Sequence, residues 1–228
     1  MSLFSKDNFP DFAQKAGIAL VVVSASIVFL TFYPVIREEA KYQLSSKQGD
    51  VVVMTAEEAK QRAPDEKLSE SDVIYPVDED FGIVIPKISA NAKVIPDVDW
   101  QNAAVYQKAL TQGVAHAKGT SYPGEAGNVF IFSHSGVDFY EAARYNAVFY
   151  LINKLEPGDE IYLFSKQQKF TYRVAERKIV SSESVEYLTG DPLKKTLTLM
   201  TCWPAGTTLK RLVVVAEQVE NDGTENDK

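Results

Sequence analysis

Cysteine, histidine, tryptophan and methionine are all scarce in this chain of 228 residues, at one, two, two and three. With Cys202 alone, no intramolecular disulfide is possible and no multi-thiolate metal site can form. Basic runs are also missing. Lys and Arg number 24 against 31 Asp and Glu, the pI is about 5.0, and no basic run is longer than two residues, as at Lys194-Lys195. A nucleic-acid binder carries a basic patch or stripe, so nucleic acid is not an expected partner. No internal repeat is visible, which sets aside solenoid and propeller folds.

Charge is absent altogether from residues 16–36. At ~1.5 Å per residue, a helix of that length spans about 30 Å, the thickness of a bilayer core. A secretory apolar region is shorter, roughly 7–15 residues, and ends in a small-residue cleavage site. This tract ends in Phe32-Tyr33-Pro34, with aromatics where an interfacial belt would sit. The expectation is one transmembrane helix at 16–36 behind a cytoplasmic tail at 1–15; the bland alternative is a buried core helix. Lys6 and Lys15 precede the tract and Arg37, Lys41 and Lys47 follow it, so the positive-inside rule does not decide orientation.

Residues 37–75 are charged and hold helix formers such as Thr55-Ala-Glu-Glu-Ala-Lys-Gln-Arg62, followed by Pro64. They read as a linker or stalk, partly helical. Residues 220–228 are Asn, Asp, Glu and Gly rich and read as a disordered acidic tail. Between them, 76–219 has the texture of one domain. Short β-rich runs recur at 81–85, 91–95, 128–132, 160–164, 169–174, 196–201 and 212–216, separated by turns such as Tyr122-Pro-Gly124 and Glu156-Pro-Gly-Asp159. This pattern is mainly β, a barrel or sandwich, with short helices near 105–110 and 138–150.

The chemistry centres on Cys202, which closes the run Thr196-Leu-Thr-Leu-Met-Thr-Cys202. Strand side chains alternate faces, so Thr198, Met200 and Cys202 share one. The next strand opens at Arg211 after an eight-residue loop, Trp203 to Lys210. If the two pair as a hairpin, Arg211 faces Cys202 at roughly 4.5–5.5 Å between Cβ atoms. His134 follows another apolar run, Gly127-Asn-Val-Phe-Ile-Phe132, and can supply the acid or base for a thiol. Taken singly, each has a plainer reading: a buried small hydrophobe, a structural histidine, a solvated arginine.

Taken together, the motifs resemble a family. Thr198-Leu199-Met200-Thr201-Cys202 resembles the Thr-Leu-x-Thr-Cys signature of sortases, and Lys210-Arg211-Leu-Val-Val resembles their catalytic-arginine strand. Ile85-Pro86-Lys87-Ile88, Gly113-Val-Ala-His116, Pro123-Gly-Glu-Ala-Gly-Asn128 and Leu155-Glu-Pro-Gly-Asp-Glu-Ile161 follow in the family's order. The resemblance covers about residues 80–217; one departure is Ser133 before His134, where many sortases have Gly. It implies an eight-stranded sortase-type β-barrel with short helices behind the membrane helix. It also implies a two-step transpeptidation, in which Cys202 attacks the Thr carbonyl of a Leu-Pro-x-Thr-Gly-like sorting signal. His134 would move the proton, Arg211 would stabilise the oxyanion or hold the substrate backbone, and Thr201 would line the substrate site. The implied partners are surface proteins with a C-terminal sorting signal, an amine acceptor of the cell envelope, and the membrane, with the catalytic domain outside.

No cofactor or metal is expected. His116, His134 and Cys202 match no zinc spacing, and Asp138, Glu141, Glu183 and Glu186 form no recognisable calcium loop; His116 reads as structural or groove-edge. Three other functions compete. An L,D-transpeptidase would place Gly before the cysteine and Arg two residues after it, where Thr201 and Pro204 stand. A silent peptide-binding ectodomain would need a defect in the triad. A pilin-polymerising sortase often carries a lid with an Asp-Pro-aromatic motif, and the segment before Phe81 offers only Tyr75-Pro-Val-Asp78.

Overall fold

Where a strand is covered on both faces, its sequence loses the alternation that marks a half-buried one. Gly127-Asn-Val-Phe-Ile-Phe132 is such a run, and the computed structural model, which describes residues 9–45, 51–61, 73–135 and 148–219, buries all six. Val129 and Ile131 point into a closed barrel, and Phe130 and Phe132 point out beneath a helix.

The barrel strands are β3 (Phe81–Ile85), β4 (Ala90–Val98), β5 (Val114–Ala117), β6 (Gly127–Phe132), β7 (Glu160–Ser165), β8 (Gln168–Ser181), β9 (Lys195–Trp203) and β10 (Lys210–Gln218). They close in the order β10-β8-β7-β3-β4-β5-β6-β9. Most neighbours are antiparallel; β4–β5 and β6–β9 are parallel. Ile83, Ile85, Ile131, Leu163, Leu197 and Leu199 fill the interior, each with no exposed surface. Each such side chain stabilises the fold by about 1.5–3 kcal/mol.

The outer face of β4–β6 is covered by helix α3 (Ala103–Leu110). Its start is fixed by Asn102, whose side-chain oxygen accepts from the backbone N–H groups of Ala104 (3.1 Å) and Val105 (3.4 Å). The helix expected near 138–150 falls largely on 136–147, outside the described residues; 148–150 form a turn.

The stretch expected as a linker is not uniform. Helix α1 runs Phe9–Ser45, and its Glu39 meets the barrel at Lys154, 2.9 Å away. Strands β1 (Val52–Val53) and β2 (Val73–Ile74) pair in parallel, and helix α2 (Ala56–Gln61) follows β1. Thr55 and Glu58 form a reciprocal cap: the Thr55 N–H donates to the Glu58 carboxylate at 2.7 Å, and the Glu58 N–H donates to Thr55 Oγ1 at 3.1 Å. Val53 packs on Val84 and Phe164, on the outer wall of β3 and β7. Lys169 clamps it, donating to the Val53 carbonyl at 3.1 Å and pairing with Glu58 at 2.9 Å. The apolar run Val51-Val-Val-Met54 is what docks this strap.

In α1, Ile18, Leu20, Val21, Val28 and Phe29 are exposed. Among the described residues no helix is long and apolar enough to cross a membrane. The uncharged tract of the sequence extends over 31–32 and 34–36, whose side chains lie outside the described set.

Candidate functional site

Two strands that run parallel end at the same edge, and here β6 and β9 do so. Their register pairs Phe132 with Met200, so Ser133-His134 and Thr201-Cys202 leave the ladder side by side. Two hydrogen bonds fix them. The Ser133 N–H donates to the Met200 carbonyl at 3.1 Å, and the Thr201 hydroxyl donates to the Ser133 carbonyl at 2.9 Å. One peptide before the histidine is thus bolted to the two residues before the cysteine. The serine standing where Gly is usual in the resembled family is buried, and its backbone carries both bonds.

The antiparallel partner of β9 is β10, and the register sets Arg211 opposite Cys202. Leu197 and Leu199 of β9, and Leu212 and Val214 of β10, point inward. By alternation Cys202 and Arg211 both point out, on one face. The Arg211 Nη1 donates to the carbonyls of Thr208 and Lys210, both at 3.1 Å, which holds its planar fork against the β9–β10 loop.

Cys202, His134, Arg211 and Thr201 line one cleft of about 320 Å³. Tyr106 and Leu110 of α3 form one wall, Phe132 contributes to the floor, and Val185 and Leu188 of the β8–β9 loop form the other wall. The four residues singled out by sequence therefore share one site. A thiol can act as nucleophile there, an imidazole as proton carrier and a guanidinium as donor to a developing negative charge. Thr201 is 3% exposed and its hydroxyl is spent on Ser133, so it reaches the cleft as a wall while its hydrogen bond serves the scaffold.

Sequence reasoning missed the residue that holds the β8–β9 wall. Asn128 sits buried on β6, and its amide nitrogen donates to the carbonyls of Tyr187 (2.8 Å) and Leu188 (3.1 Å). Its oxygen accepts from the hydroxyls of Thr196 and Thr198, both at 3.0 Å. The available signal was one amide inside an otherwise apolar strand.

His116 lies elsewhere, inside the barrel with no exposed surface. The Asp97 N–H donates to its Nδ1 at 3.4 Å, so the proton is on Nε2, facing the Ser121 carbonyl (3.1 Å) and the Thr120 hydroxyl (2.9 Å). Its ring packs 4.7 Å from that of Tyr122, whose hydroxyl donates to Asp97 at 2.7 Å. Burial pushes the His116 pKa below its ordinary value, against a smaller opposing pull from the Ser121 carbonyl and Asp97. Burial and then Asp97 push Tyr122 up to about 12. None of this cluster lines the cleft. Among the described residues no three His, Cys, Asp or Glu side chains gather as a metal site.

Comparison with known proteins bears on the cleft's chemistry. A family model, Sortase domain, matches residues 83–219. Sortase D of Bacillus subtilis (strain 168) is 25% identical over 214 residues, covering 90% of this chain and all of the relative. Among solved structures, a lid mutant of sortase A from Corynebacterium diphtheriae superposes with a TM-score of 0.53 at 27% identity, over 65% of this chain and 74% of the other. A sortase C from Clostridium perfringens, solved with the C-terminal cell wall sorting motif, gives 0.50 at 26% identity, over 61% and 69%.

Proposed function

The chain belongs to the sortase family of cysteine transpeptidases, and on that premise we propose that it cleaves a Leu-Pro-x-Thr-Gly-like sorting signal and joins it to an amine of the cell envelope. The observation that carries this reading is the convergence of Cys202, His134 and Arg211 on one cleft. With its proton passed to His134, the Cys202 sulfur attacks the Thr carbonyl carbon, and the carbonyl oxygen takes up negative charge, stabilised by Arg211. The C–N bond breaks, and His134 gives its proton to the departing amine. That leaves a thioester on Cys202. An acceptor amine then attacks the thioester carbonyl, His134 takes the amine's proton, and the Cys202 sulfur leaves as thiolate as the new amide forms. The apolar walls suit a peptide held by side-chain burial, and the Clostridium perfringens sortase C solved with its sorting motif supports a peptide substrate of that kind.

Anchoring is favoured over pilin polymerisation by the place of the strap. It packs on β3 and β7, which lie across the barrel from the β6–β9 wall that carries the cleft. The proposal includes a membrane helix at 16–36, an inside amino terminus and an external catalytic domain. It is supported by the uncharged tract and by the exposed apolar side chains of α1.

The test is mass spectrometry of the enzyme mixed with a library of sorting-signal peptides. A thioacyl adduct on Cys202 is expected, with the preferred sequence read from its mass, and Cys202→Ala should form none while keeping its fold. Transpeptidation surviving in Cys202→Ala would end the reading.

A further inference from the structure

The β8–β9 loop, residues 182–194, carries no regular secondary structure beyond turns. It runs from the end of β8 to the start of β9, and Glu183, Glu186, Asp191 and Leu193 along it are exposed. Yet Val185 and Leu188 of this loop form a wall of the cleft. Tyr187 and Leu188 pack on the apolar cluster around Phe130 and Phe132, and their carbonyls are held by a side chain from another strand.

We propose that Asn128 is a positioning residue for substrate capture, acting as a latch that fixes the β8–β9 loop as the wall against which the peptide substrate is bound. This rests on the reading of the cleft as the peptide site. The amide of Asn128 can make two donations and two acceptances, and all four are used. Both donations go to consecutive loop carbonyls, Tyr187 and Leu188, which orients the Leu188 side chain toward the cleft. Both acceptances come from β9, at Thr196 and Thr198. The two loop carbonyls can only accept, so they dictate which way round the amide stands, with nitrogen to the loop. Thr198 lies four residues before Cys202 on the same strand.

The loop is shaped for this close approach at Gly190 too. Gly190 has φ of +58°, and a Cβ added there would lie 2.8 Å from the Asn128 Cβ and 3.2 Å from Thr196 Oγ1. A side chain at 190 and the latch cannot both keep their places. Asn128 touches neither the thiol nor the cleft, so its loss should weaken peptide binding without changing the reaction at sulfur.

Asn128→Asp isolates the effect. It keeps an oxygen for Thr196 and Thr198 but turns the donor facing Tyr187 and Leu188 into an acceptor that repels both carbonyls. The expected result is a rise in KM for the sorting peptide of about tenfold or more, from the loss of two hydrogen bonds, with kcat changed less than threefold. Alkylation of Cys202 by a small uncharged thiol reagent, which needs no wall, should proceed at the wild-type rate. Gly190→Ala leaves the Asn128 amide chemically intact but presses a Cβ against Asn128 and Thr196, which displaces the loop and should raise KM in the same sense. It serves as the test should Asn128→Asp fail to fold. Unchanged KM in a folded variant, or a fall confined to kcat, would overturn the latch while leaving the transpeptidase reading intact. Wild-type enzyme that transfers no peptide at all would sink that reading instead.

Discussion

One hydroxyl joins the peptide before His134 to the peptide before Cys202, and replacing it has a calculable cost. Thr201→Val keeps the shape of the side chain and removes the hydrogen bond to the Ser133 carbonyl, 2.9 Å long and buried. The bond itself contributes a net ~0.5–1.5 kcal/mol, and the stranded carbonyl adds a desolvation penalty of ~1–3 kcal/mol. The extra buried methyl returns about 0.8 kcal/mol. The balance is a loss of about 1–4 kcal/mol, which for a domain of this size lowers Tm by roughly 3–12 °C. The Ser133 N–H to Met200 bond remains, so the β6–β9 ladder survives. The rate should fall further than the stability, because displacing a reacting group by about 1 Å can cost on the order of 10²-fold. The assay is release of the leaving segment from a quenched sorting peptide beside a thermal melt, at saturating substrate, for Thr201→Val and Thr201→Ser. The serine variant keeps the hydroxyl and should recover most of both quantities. A Val variant with the expected Tm loss but a rate within twofold of wild type would refute the reasoning, since the bond would then hold the fold and not the site.

Arg211→Lys keeps the charge but loses the planar fork that sits against the Thr208 and Lys210 carbonyls, so acyl transfer should drop by roughly 10²–10³-fold with the melt nearly unchanged; near-wild-type turnover in Arg211→Ala would make it a bystander. His116 takes up a proton less readily folded than unfolded, so stability should be full above its ordinary value of 6.5 and decline as pH falls below it. Melts of wild type and His116→Gln from pH 7.5 to about 5.5 check this: the variant should start lower and lose the slope. Protease added to intact cells should remove everything beyond about residue 40, the external boundary set by the ~30 Å span of a helix at 16–36; a domain protected until lysis would contradict the proposed topology.

Much of the site was legible in the sequence because its parts lie at strand ends next to loops. Cys202 and Arg211 face each other across a hairpin, so their register follows from strand period and loop length alone. The apolar run before His134 marked a buried strand. What was not legible depends on distant partners. β5 is four residues long and stands parallel to β4, too short to leave a period of its own. β8 runs to Ser181, well past the apolar stretch at 169–174, because its polar second half is held by backbone pairing with β10 rather than by a buried face. The strap looked like a stalk because its few apolar residues are diluted among charges. Asn128 was visible only as part of a motif; its role needs the loop sixty residues away.

The parallel pairing of β6 with β9 also governs when the enzyme can exist during folding. The β9–β10 hairpin is local, and hairpins form in about 1–10 μs. Thiol and guanidinium can therefore meet early. The imidazole joins them only when β9 docks beside β6, across an intervening stretch that contains β7 and β8. Contacts so far apart in sequence form late, because chain closure must come before the pairing rewards it. On the proposed roles, an incompletely folded chain carries its nucleophile without its proton carrier, and barrel closure is the event that arms it.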